Sequence, residues 1–93
     1  MTFTWIGKQG ARSSDGFEVQ SVDRFSIEYR EGRQVVTVSV EHGALGATPC
    51  VIIGAKAFEH WDNYRPSNSE EKQAKMLANF KAAMAFQGMA VDV

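Results

Sequence analysis

The segment "EHWDNYRPSNSEEK", from Glu59 to Lys72, holds the side chains best suited to chemistry in this 93-residue chain. His60 and Asp62 stand two apart, a spacing that suits a histidine–carboxylate base pair or two ligands of a metal ion. A metal site usually needs three or four donors at workable spacing, and the only other histidine is His42. Trp61, Tyr64 and Arg65 lie in the same stretch and belong to the residue types most enriched at protein–protein hot spots. The segment also has an architectural use. Pro66 disfavours helical backbone at Arg65, so a helix begins no earlier than Pro66, and Trp61 and Tyr64 are placed to seal the joint before it. Joint and interface can coexist, whereas two polar residues discriminate too little to establish catalysis.

The other reactive residue types sit in poorer settings. Cys50 is the one cysteine, so no intrachain disulfide can form, which fits a reducing compartment. A reactive thiolate needs a neighbouring base or a helix N-terminus. Cys50 instead heads the apolar run "CVIIG", as an inert buried thiol would. "GKQG" at 7–10 lacks the Lys-Ser or Lys-Thr and the following helix of a phosphate loop. "SSDG" at 13–16 reads as a turn, with no base placed to activate its serines. The expectation is no catalytic residue, no cofactor and no metal. An enzyme built on this chain would have to use His60 with Asp62, or Cys50.

Composition narrows the classes further. The net charge of −1 leaves no cationic excess for phosphate contacts, so a nucleic-acid partner is disfavoured. The 44% hydrophobic and 23% charged content is that of a globular chain, and the length suits a single domain spanning 1–93. The start "MTFTWIGKQGARSS" lacks the apolar core of a signal peptide, and no apolar run approaches the roughly 18 residues of a membrane span. The expectation is a soluble, cytoplasmic protein without a membrane partner.

The elements that must position these residues follow from periodicity. "MTFTWIG" alternates Phe3 and Trp5 with threonines, and "FEVQSV" at 17–22 alternates again, both as half-buried strands. Residues 8–16 and 42–48 read as loops. Between 24 and 41, Phe25, Ile27 and Tyr29 form one apolar set and Val36, Val38 and Val40 another. A turn centred on Glu31-Gly32 puts Ile27 opposite Val36 and Phe25 opposite Val38, and its tight form puts Arg30 opposite Arg33. Pro49 opens "CVIIG", an interior strand apolar on both faces. Residues 55–65 read as a short irregular or helical turn, with an extended path as the alternative.

Ser67 and Glu70 form an S-x-x-E capping box for a C-terminal helix. Met76, Leu77, Phe80, Ala83 and Met84 make its apolar stripe, with Lys72, Lys75, Asn79 and Lys81 off it and Gly88 as the stop. "MAVDV" is a closing strand. The resulting fold class is α+β: a single, mainly antiparallel sheet of four to five strands, one long C-terminal helix across a face, and a final short strand. Val35, Cys50 or Val51, Phe58 and Trp61 then exceed what one helix can cover, which implies a protein partner or self-association.

From Gly16 onward, "FSIEYREGRQVVTVSVE", "CVIIGAKAFEHWD", Pro66 and "NSEEKQAKMLANFKAAMAFQGMAVDV" follow in an order that resembles a small predicted immunity-protein family of bacterial polymorphic toxin systems. There a Tyr-x-Glu-Gly-like hairpin precedes a strand, a tryptophan and proline, one helix and a last strand. The matching positions are Tyr29, Glu31, Gly32, Glu41, Trp61 and Pro66. The resemblance implies a non-enzymatic inhibitor that binds a toxin domain. From hot-spot chemistry alone the expected contacts are Trp61, Tyr64 and Arg65, and the alternative function is a homodimeric structural or regulatory domain.

Overall fold

The computed structural model describes residues 1–93. The fold is α+β. Strands β1 (Phe3–Trp5), β2 (Gly10–Ser13), β3 (Phe17–Asp23), β4 (Ser26–Glu31) and β5 (Gln34–Ser39) form an antiparallel meander in chain order. A second sheet has β7 (Thr48–Ile52) at its centre, with β6 (Glu41–Leu45) antiparallel on one side and β8 (Ala90–Asp92) parallel on the other. A parallel pair needs a long crossover, and helix α1 (Glu70–Phe86) lies within the one that joins β7 to β8. No helix is long and apolar enough to cross a membrane.

The β4–β5 hairpin pairs Ile27 with Val38, Tyr29 with Val36 and Glu31 with Gln34. Its loop is therefore Gly32-Arg33, with Gly32 at φ +60°. The expected register placed Ile27 opposite Val36, two residues away from the observed pairing. Because side chains alternate with a period of two, this offset leaves all four apolar residues on one face, and all four are buried. Arg30 faces Val35 rather than Arg33. The Phe25–Val38 pair does not form. Phe25 precedes β4 in a tight turn where its N–H donates to Asp23 Oδ1 at 2.8 Å, and its side chain is 64% exposed.

Two expected loops are strands. β2 contains Gly10 and polar residues, yet it is held on both sides by β1 and β3, so pairing rather than propensity makes it a strand. Gly10 is required there, since a Cβ would stand 2.8 Å from the Ile6 carbonyl oxygen. β6 pairs with β7 across a turn in which Gly46 takes φ +62°.

The helix starts later than its expected box. Ser69, not Ser67, is the N-cap, and its hydroxyl accepts the Lys72 N–H at 3.0 Å. Lys72 occupies the position where a closed box needs an acid. The preceding turn is tied back to the joint, as Asn68 donates to the carbonyls of Glu59 and Phe58. Seventeen residues remain helical, about 26 Å. The far end is a Schellman motif: Gly88, at φ +82°, donates to Ala85 O and Met89 donates to Met84 O.

The stripe is buried at Met76, Phe80, Ala83 and Met84, with Leu77 partly covered. Phe80 meets Phe58, Phe58 meets Tyr29, and Tyr29 meets Trp61, each pair edge-on or stacked within 6.3 Å. The residues expected to be left uncovered are covered within the monomer. Cys50, Val51, Phe58 and Trp61 are buried and Val35 is half-buried, because residues 54–68 turn back over the sheet and the second sheet adds its own apolar side chains to one core.

Candidate functional site

Asp62 is bound into the sheet. Its N–H donates to Val35 O at 2.7 Å, and its carboxylate accepts the Thr37 N–H at 3.1 Å and the Thr37 hydroxyl at 2.6 Å. One residue thus supplies an acceptor for the Thr37 N–H and a donor for the Val35 carbonyl, both of which the outer edge of β5 would otherwise present to solvent. His60 turns to other groups: Nδ1 lies 3.4 Å from Pro66 O and Nε2 lies 3.2 Å from the Glu59 carboxylate. The pair is not brought together, and no group of three or more His, Cys, Asp or Glu side chains gathers around a common point. The Cys50 thiol is buried and lies 3.7 Å from Val51 O, with no base beside it.

Of the three expected contact residues, Tyr64 and Arg65 are on the surface, and Tyr64 is 53% exposed. Trp61 is not a surface residue. Only 5% of it is exposed, its ring stacks toward Tyr29, and the Lys72 ammonium sits 5.8 Å from its centroid. It seals the joint and carries the backbone that places Asp62.

Beneath the joint is a polar clasp between β4 and α1. The Tyr29 hydroxyl donates to Glu31 Oε2 at 2.6 Å and accepts from Asn79 Nδ2 at 3.0 Å, while Lys72 Nζ donates to Glu31 Oε1 at 2.8 Å. Burial pushes the Tyr29 phenol well above its usual range; the Glu31 hydrogen bond and charge reinforce that, and the Asn79 donor opposes it. Tyr29 is therefore a fixed neutral donor, and every buried side-chain polar atom has a partner. Lys72 and Asn79 lie off the helix's apolar stripe, yet Asn79 is buried. The available signal was their separation of seven, two turns along one flank of the helix, in line with the Tyr29–Glu31 pair on β4.

A second feature is an aromatic surface. Trp5 is 51% exposed and packs on Phe86 at 5.0 Å, and Phe3 stacks on the same ring at 5.4 Å. Beside it runs a groove of about 500 Å³ lined by Trp5, Lys8, Gln9, Arg24, His42 and Met89 among others. The sequence signal for this surface was a tryptophan on an alternating strand and a phenylalanine off the helical stripe. No family model, curated protein or solved structure matches the chain.

Proposed function

We propose that the chain is a small protein-binding domain, an immunity-like inhibitor that acts in the cytoplasm by covering a partner toxin domain with a preformed surface. The observation that supports it is the exposed Trp5–Phe86 stack beside the polar groove. Tryptophan anchors flanked by polar groups are what tight protein interfaces use. The residues suited to catalysis are meanwhile engaged by the fold: Asp62 on Thr37, and Cys50 in the interior. Tyr29, Glu31 and Trp61, which carry the family resemblance, meet at the clasp, where they brace the hairpin against the helix. Tyr64 and Arg65 remain on the surface for partner contact.

The test is calorimetric titration with the C-terminal domain of a large secreted protein encoded beside this chain's gene. Binding is expected, and Trp5→Ala should weaken it by about 2 kcal/mol. Failure to bind that domain overturns the inhibitor reading.

A second reading, self-association, is favoured by a different surface. Leu45 and Ile52 are exposed on one face of the second sheet, and Phe25 shares a shallow groove of about 570 Å³ with Ile52.

A further inference from the structure

The two outer strands that meet near Val40 are finished differently. Asp62 occupies the edge of β5, whereas all five residues of β6 are exposed and no backbone group of the chain bonds to its outer side. Which groups face outward can be worked out from β7. Ile53 donates its N–H to Asp92 O of β8, so the odd-numbered residues of this strand aim at β8, and Pro49, which has no N–H, falls in that set. Thr48, Cys50 and Ile52 aim at β6, where their partners are Leu45, Gly43 and Glu41. The N–H and C=O groups of His42 and Ala44 therefore point away from the sheet. Two donors and two acceptors lie in a row, and what satisfies such a row is another extended backbone.

We infer that β6 pairs antiparallel with β6 of a second copy of this chain, on a two-fold axis through Gly43; this rests on the self-association reading above. The strand is self-complementary in that register. His42 of each copy meets Ala44 of the other, so the four outward groups of one copy meet the four of its mate. Gly43 meets Gly43 at the close, non-hydrogen-bonded position. Glu41 lies opposite Leu45 on the same face, so no like charges oppose each other. Ile52 already lies over Gly43, its Cδ1 3.3 Å from where a Cβ would be, so the apolar side chains of the two copies converge across the glycine pair. The two mixed three-stranded sheets then become one continuous six-stranded layer, with Leu45 and Ile52 of both copies on one face.

Sedimentation equilibrium of the full chain tests this, with circular dichroism on each variant as the check of folding. The wild type is expected to be a dimer in reversible exchange. Ala44→Pro removes only an outward N–H, a place where an edge strand accepts proline, and should weaken the dimer about thirtyfold. Leu45→Glu puts like charges opposite Glu41 of the mate and should weaken it about tenfold, while Leu45→Lys should tighten it about threefold. The opposite signs at one exposed residue identify the register even if the proline variant fails to fold. A dimer indifferent to all three substitutions overturns the β6 pairing and leaves self-association standing. A wild type that stays monomeric overturns both.

Discussion

β5 and β6 are separated by one residue, Val40, and both are outer strands, yet one is closed and the other open. The difference lies in what the chain brings back to each. Asp62 returns to β5 from 25 residues away and satisfies Thr37 with its carboxylate and Val35 with its N–H. No backbone group returns to the outer side of β6, whose one such tie is the His42 ring, with Nε2 2.7 Å from Arg24 O. An unpaired edge invites association, and proteins usually blunt it with a charge, a bulge or a covering loop. Here Asp62 does so at Val35 and Thr37 of β5. Edge protection in this protein is a tertiary contact made by a loop, not a property of the strand it protects.

Removing what holds that loop should erase the contrast. Trp61→Ala deletes a buried ring beside the capping residue and should cost about 3–5 kcal/mol in chemical denaturation, with β5 amides losing hydrogen-exchange protection. If Trp61 were a partner contact alone, stability would not move. Asp62→Ala leaves the core intact and opens only the edge. About 2 kcal/mol should be lost, and light scattering should show association that the parent lacks at β5. The clasp offers a control away from either edge. Tyr29→Phe removes the hydroxyl shared by Glu31 and Asn79 and should cost about 1–2 kcal/mol without changing the oligomeric state. Thr37→Val is the gentlest cut, deleting one of the bonds to Asp62 at an exposed position, and about 0.5–1 kcal/mol is expected.

The clasp also sets a pH dependence. Its phenol holds its proton more tightly in the fold than in the unfolded chain, where it ionises near pH 10.0. Folding therefore binds the proton, and stability is full below that pH and falls as pH rises through it. Urea titrations across this range should show the decline in the parent and a smaller one in Tyr29→Phe.

The legible parts of the molecule were those fixed by spacing. Ile27, Tyr29, Val36 and Val38 were placed on one buried face even though the register was displaced by two, because parity survives such a slip. Met76, Phe80, Ala83 and Met84 were assigned to the core from helical period, and Gly88 to the helix end from its freedom at positive φ. β2 and β6 were missed because "GARS" and "EHGAL" have little strand character of their own and become strands by pairing. The helix start was missed because two serines compete, and the ties from Asn68 to the joint favour the second. At the candidate site, Trp61, Tyr64 and Arg65 were singled out for chemical type, and type says nothing about depth. The chain takes Trp61 inside and leaves the other two out. The sequence around Trp5 marks it only as part of a strand.

By itself the sequence determined periodicities: alternation through the central hairpin, a 3.6-residue stripe in the helix, and a glycine where that helix must end. These are local, since the backbone repeats every two or 3.6 residues and side chains on one face share one fate. Only the tertiary structure decided which residues meet across distance. Asn79 reaches Tyr29 from 50 positions away, Asp62 closes β5, and β6 is left without a cover. Such contacts depend on how turns and crossovers return the chain to itself, and no local spacing encodes that path.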